Sequence, residues 1–163
     1  MIIVIIGPMG CGKTTVGKLL AERLSWTFAD ADDFHPPENV EKMRQGIPLD
    51  DDDRFGWLVS LRTHIEEQIQ RDENLILACS ALKHSYREIL GIDQRRIISV
   101  YLKGSFELLQ ERIAKRSHQY MNESLLQSQL QTMEEPFGGL IVSIDQTPEM
   151  ICSEIINELG IQS

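Results

Sequence analysis

Cysteine is scarce in this chain. Three thiols, Cys11, Cys79 and Cys152, lie far apart in 163 residues. They form no C-x-x-C pair and no disulfide framework, which excludes a small disulfide-stapled scaffold and points to a reducing, cytoplasmic setting. Basic residues are also few, with 16 Lys+Arg against 25 Asp+Glu and a formal net charge of −9. Binding a phosphate backbone needs a basic face, so nucleic acid is excluded as a main partner. Long apolar runs are missing too. The N-terminal run, Ile2 to Ile6, has five residues, too few for a signal peptide or a membrane span. No internal repeat, low-complexity tract or Gly/Ser linker interrupts the sequence. With 42% hydrophobic residues, the expectation is a single domain over residues 1–163.

What is present begins at that apolar run. Ile2 to Ile6 are β-branched throughout, as suits a strand buried on both faces of a parallel sheet. Next comes Gly7-Pro8-Met9-Gly10-Cys11-Gly12-Lys13-Thr14, which fits the P-loop pattern G-x-x-x-x-G-K-[ST]. From Val16 onward, Val16, Leu19, Leu20 and Leu24 fall at helical spacing. A polyphosphate needs many N–H donors converging on it with no side chains in the way. The glycines let the backbone approach, and the helix N-terminus adds free donors and a positive dipole end. Residues Gly7 to Thr15 are the candidate nucleotide-binding segment. Lys13 would reach the β- and γ-phosphates, and the Thr14 hydroxyl would ligate Mg²⁺. The bland alternative, a glycine-rich turn of no catalytic meaning, leaves the strand, the Lys-Thr pair and the helix unexplained.

Strands and helices alternate from there. Trp26 to Ala29, Leu75 to Cys79, Ile97 to Leu102 and Leu140 to Ile144 read as four further strands. Asp50 to Asp53 precede an apolar stripe of Trp57, Leu58, Leu61, Ile65 and Ile69, Ser105 can cap a helix, and Thr147-Pro148 opens another. This pattern predicts an α/β fold whose ligands bind at the carboxyl ends of the strands.

Reading those ends gives the other candidates. Asp30 and Asp32 follow the second strand. They could hold Mg²⁺ through water and accept a proton from a substrate hydroxyl, or form a solvated acidic turn; the P-loop nearby favours the first. His35 is open between a substrate hydrogen bond and loop packing. Within Asp50 to Arg54, at least two carboxylates read as helix-end residues. Arg54 is either aimed at an anionic group or a surface ion pair. The third strand ends in Cys79-Ser80, without the Mg²⁺-holding aspartate of switch-type NTPases. Lys83 and Arg87, four apart, read as lying on one face of a helix, where they make either a clamp for an anionic substrate or an exposed basic face. Arg112 and Arg116, again four apart, sit on a helical hairpin that reads as a lid over ATP, at about 112–135. Cys11, at a helix N-terminus, is either a reactive thiol or an inert packing residue.

Several blocks then carry a resemblance. GPMGCGKT at 7–14, D-x-D with His-Pro at 30–36, NVEKMRQGIPLDDDDRFGWL at 39–58, CSALKHSYR at 79–87, YLKGSFE at 101–107 and LLQSQLQTMEEP at 125–136 strongly resemble the gluconate kinase (gluconokinase) family of small P-loop kinases. These are relatives of shikimate and adenylate kinases. The resemblance implies ATP-dependent phosphorylation of D-gluconate at its 6-hydroxyl, with Mg²⁺. It implies a P-loop kinase fold with a five-stranded parallel sheet, order 2-3-1-4-5, and a mobile helical lid. Dimers are known in the family. Carried over by position, Gly7 to Thr14 bind phosphates and Mg²⁺, and Asp32 faces the substrate hydroxyl. Arg112 and Arg116 match lid arginines, and His35, Arg54, Lys83 and Arg87 fall at substrate-side positions. The chain departs from the family where Gln119 and Tyr120 replace the usual lid His and Phe, and where Asp50 replaces a frequent Asn. A kinase for another sugar acid, a polyol or shikimate remains the alternative. A nucleotide-binding regulatory module is disfavoured by the lid arginines.

Overall fold

The computed structural model describes residues 1–115 and 123–163. Among these, the chain runs β1 (Ile2–Ile6), α1 (Lys13–Leu24), β2 (Thr27–Asp30), a 3-10 turn (Ala31–Phe34), α2 (Pro37–Arg44) and α3 (Asp51–Gln70). It continues with β3 (Leu75–Ala78), α4 (His84–Leu90), β4 (Ile97–Lys103), α5 (Phe106–Lys115), α6 (Glu123–Thr132), β5 (Leu140–Ser143) and α7 (Pro148–Leu159). The five strands form one parallel sheet in the order β2-β3-β1-β4-β5. That is the expected architecture and strand order.

β1 lies in the middle, with Ile2 level with Leu75 of β3 and Ile97 of β4. Its side chains alternate between two cores. Ile3 and Ile5 pack with Val16 and Leu20 of α1 and Ile151 and Ile155 of α7. Ile2, Val4 and Ile6 pack with Leu58, Leu61 and Ile65 of α3 and Leu90 of α4. All five are 0% exposed, which is why the run carries no polar residue. Each such burial is worth about 1.5–3 kcal/mol, so β1 is the best-anchored strand from which a site could project.

The helix starts follow their local chemistry. Asp50 caps α3 by accepting from Asp53 N at 2.7 Å, and Asp53 returns the favour to Asp50 N at 3.1 Å. Thr147 caps α7 by accepting from Met150 N, with Pro148 in the first turn. Ser105 Oγ accepts from Leu108 N at 3.2 Å at the start of α5.

Strand ends moved by one residue. β2 spans Thr27–Asp30, not residues 26–29, and this sets Asp30 opposite Ala78 at the carboxyl edge. β3 stops at Ala78, though Cys79 N still donates to Ile5 O at 3.0 Å. β4 gains Lys103 and β5 loses Ile144. α2 was not expected, since Val40 and Met43 are too few to form a stripe after Pro36-Pro37. Pro37 instead opens it in the first turn, and Asn39 is its one buried residue.

Candidate active site

The P-loop connects the end of β1 to α1. Gly10 and Gly12 hold φ values of 80° and 95°, a region that L side chains rarely adopt. A Cβ on Gly10 would stand 2.9 Å from Ile113 of α5, so the loop is closed beneath by packing as well as shaped by conformation. Gly7 N donates to Ser80 O, tying the loop to the end of β3. Lys13 Nζ lies over the loop and donates to Gly7 O at 3.0 Å and Pro8 O at 3.1 Å. A cavity of about 430 Å³ opens here, with Lys13, Thr14, Asp30, Asp32, Ser80 and Gln129 in its walls.

Both aspartates face this cavity and have different jobs. Asp30 Oδ2 accepts from the Thr14 hydroxyl at 3.1 Å, and its Oδ1 accepts from Asp32 N at 3.0 Å. A hydroxyl and a carboxylate side by side are hard oxygen donors. They suit a small divalent cation that takes one or two protein oxygens and completes its shell with phosphates and water. Asp32 makes no such pair. The cleft walls strip water from its carboxyl, and the negative charge of Asp30 adds to this. Together they raise its pKa above the ordinary aspartate value against the pull of Lys13. A carboxylate with raised basicity is a better proton acceptor.

A second cavity, about 270 Å³, shares Gly12 and Thr15 with the first and has Val16, Arg112, Lys115 and Pro148 around it. Arg112 is fixed there by donating from Nη2 to Ile144 O at 2.6 Å and from Nη1 to Cys11 O at 3.4 Å. Arg116, with the departures at Gln119 and Tyr120, lies outside the described residues.

On the other side, α3 and α4 build a rim. Arg54 Nη1 donates to the Tyr86 hydroxyl at 3.0 Å; that hydroxyl donates to Asp51 at 2.6 Å, and Lys83 Nζ lies 3.2 Å from the same carboxylate. His35 stacks on Trp57 at 4.4 Å. Burial, then the charge of Arg54, pushes the His35 imidazole below its usual value, so it is neutral at pH 7. Asn39 Nδ2 donates to Asp53 O at 2.8 Å and sits 3.3 Å from His35 Nδ1. A donor on that side makes Nδ1 the acceptor and leaves the proton on Nε2. His35, Arg54 and Lys83 are therefore brought together.

Arg87 is not, and the expected clamp with Lys83 is corrected. Lys83 is the residue before α4, while Arg87 is buried and turned inward. Its guanidinium donates to Ala81 O, Leu82 O and Glu134 O, tying the segment after α6 to the loop after β3. With Nε and Nη2 taken by three carbonyls and Nη1 3.3 Å from His84 Nδ1, the guanidinium is spent on holding these segments together.

One open P-loop alternative is decided and one expectation changes. Cys11 is 0% exposed and packs in the core beneath the loop, which is the packing reading of this residue. Cys79 borders the main cavity, but burial pushes its thiol up to about 12, so it stays protonated. Met9 was expected to offer its amide to phosphate. That N–H is instead taken by Gln129 Oε1 at 2.7 Å. Sequence reading missed Gln129. The available signal was a polar residue on the inward face of α6, three residues after Leu126 and four before Met133.

The shikimate kinase family model matches residues 9–159. A probable gluconokinase of Xenopus tropicalis is 40% identical over 177 residues, covering 98% of this chain and 93% of the relative. A gluconokinase of Gluconobacter oxydans is 42% identical over 157 residues, covering 94% and 88%. The crystal structure of a gluconokinase from Sinorhizobium meliloti matches with a TM-score of 0.82 at 39% identity, over 97% of this chain and 90% of that one. With a P-loop and a carboxylate pair meeting in one cleft, and with relatives at this identity over nearly its whole length, the chain belongs to the gluconokinase family of P-loop kinases.

Proposed function

We propose that this kinase transfers the γ-phosphoryl group of ATP to the 6-hydroxyl of D-gluconate. The observation that carries the reading is the meeting of Lys13, the Thr14–Asp30 pair and Asp32 in one cleft beside the rim of His35, Arg54 and Lys83. The Gly12–Thr15 end of the P-loop cradles the phosphates, and the slot between Arg112 and Pro148 takes the nucleoside. Lys13 neutralises charge on the β- and γ-phosphates. Thr14 and Asp30 would hold Mg²⁺, which would supply further neutralisation of phosphate charge. Asp32 orients the acceptor hydroxyl and takes its proton as the oxygen bonds to phosphorus and ADP leaves. The rim meets the acid end of the acceptor, with Arg54 and Lys83 as cations and the His35 Nε2–H as a neutral donor. Arg116 would add positive charge from a lid over 112–135. A single domain, a cytoplasmic setting in keeping with three free buried thiols, and a homodimer complete the reading.

The experiment is a substrate panel with purified protein, ATP and Mg²⁺. D-gluconate should raise ADP production well above background, and shikimate, glucose and nucleoside monophosphates should do far less. If gluconate has no effect while another acceptor does, the acceptor is wrong. Replacing Mg²⁺ with a chelator should abolish turnover.

A further inference from the structure

P-loop amides face anionic oxygens in phosphate sites, because converging N–H groups have no other partner nearby. Here one of them is bound by a side chain from the other end of the sequence. Met9 N donates to Gln129 Oε1 at 2.7 Å. This bond decides which way the carboxamide points. An N–H can only be met by the oxygen, so the NH₂ group occupies the other branch. Gln129 borders the cavity that also contains Lys13, Thr14 and Asp32. Among the described residues, no acceptor is bonded to its Nε2.

The carboxamide is held from several sides. Leu126, one turn earlier on α6, is 0% exposed and packs with Leu109 and Ile113 of α5. Just past α6, Glu134 N donates to Leu82 O at 2.8 Å, and Arg87 donates to Glu134 O. The segment is therefore pinned at both ends, and the amide in the middle is aimed by Met9. A rigid donor pointing at a site of changing charge is what stabilises a transition state, because no reorganisation is needed when the charge develops.

We propose that Gln129 is a catalytic residue, donating from Nε2 to a non-bridging oxygen of the transferring phosphoryl group. This rests on the phosphoryl-transfer reading above. No bond is made or broken at Gln129. Its NH₂ group strengthens an existing hydrogen bond as negative charge spreads over the equatorial oxygens.

Two substitutions separate this role from a merely structural one. Gln129→Glu keeps the oxygen that accepts from Met9 but replaces the donor with a negative charge. Gln129→Leu removes both bonds and keeps the bulk. Turnover is measured with MgATP and D-gluconate, and the slow ATPase with water as acceptor is measured on the same proteins. Melting temperatures are recorded alongside. Gln129→Glu should lose about 10²- to 10³-fold in kcat, the range for removing one oxyanion donor, while melting close to the unsubstituted protein. Gln129→Leu lacks the same donor as well as the Met9 bond, so it should lose at least as much and melt lower. The deficit of Gln129→Glu relative to the unsubstituted protein should shrink on acidification, since a protonated carboxyl donates again. Near-normal turnover by Gln129→Glu, with a loss confined to Gln129→Leu, makes Gln129 a strut for the P-loop and overturns the proposal. The water-acceptor rate keeps the two readings apart. Gluconate failing to stimulate the unsubstituted protein defeats the acceptor assignment, while the ATPase rate of Gln129→Glu still decides the role of Gln129.

Discussion

The two sides of the cleft are built from different materials. The nucleotide side is mostly main chain: the β1 end, three glycines and the first turn of α1, contiguous from Gly7 to Thr15. The side proposed to meet the acceptor is mostly side chain. His35, Arg54 and Lys83 come from separate parts of the chain, and each is aimed by something else: Trp57 and Asn39, Tyr86, and Asp51 in turn. Main-chain chemistry is written locally, so a short pattern announces it. Side-chain chemistry depends on partners far away, so residue type and spacing do not determine it.

The largest expected effect compares one residue from each side. Lys13→Ala should weaken ATP binding and turnover together, because the ammonium meets charge already present in the ground state. Asp32→Asn should lower kcat by about 10²- to 10⁴-fold with near-normal ATP affinity, the range for losing a general base. Rescue of Asp32→Asn by raised Mg²⁺ would instead make Asp32 a metal-support residue. The pH dependence sharpens this. The Asp32 pKa is raised, so its base form is lost as pH falls through a value above that of an ordinary aspartate. The acid limb of kcat should lie correspondingly high and should vanish in Asp32→Asn. The stability sign is the reverse of the usual aspartate case. With the folded pKa above the unfolded one, stability is fullest below the unfolded pKa and falls as pH rises through the folded one. Asp32→Asn should therefore melt higher than the unsubstituted protein at neutral pH, while being nearly inactive.

A smaller effect tests the acceptor side against itself. Arg87→Met leaves three carbonyls without their charged donor, and loss of such bonds should cost about 2–4 kcal/mol of stability. Its gluconate KM should move little beyond what loosening explains. Lys83→Met should do the opposite, raising gluconate KM about tenfold, or about 1.4 kcal/mol, with an unchanged melting temperature. If Arg87→Met raises KM without lowering the melting temperature, the inward reading of Arg87 fails.

The smallest effect concerns the aspartate run. Asp50→Ala removes the α3 cap and should cost about 1 kcal/mol in denaturant titration, with kcat unaltered. A large kcat loss would move Asp50 from the helix end into the site.

The same contrast explains what was legible beforehand. The parallel sheet and the P-loop could be read because β1 is an unbroken β-branched run leading into a glycine pattern, while the strand order came only from the resemblance to the gluconate kinase family. Asp30 and Asp32 could be singled out because strand ends in such sheets face the ligand. Arg87 was misassigned because spacing of four says only that two residues share a face if both are helical, and Lys83 stands just before α4. Gln129 offered only a polar residue on the inward face of α6, because its partner is a single amide 120 residues away. α2 was missed because eight residues with two apolar side chains leave no periodic signal.

The central place of β1 has a consequence for how the protein loses function. Amides of a strand bonded on both edges and covered on both faces exchange with solvent only when the whole domain opens. The phosphate cradle hangs directly from that strand, so no partial opening can remove it while leaving the fold. Local fluctuations have freer play at the exposed start of α3 and in α2. Heating should therefore relax discrimination among acceptors before it abolishes nucleotide binding, and hydrogen exchange at Ile3 to Ile6 should report the same free energy as global unfolding.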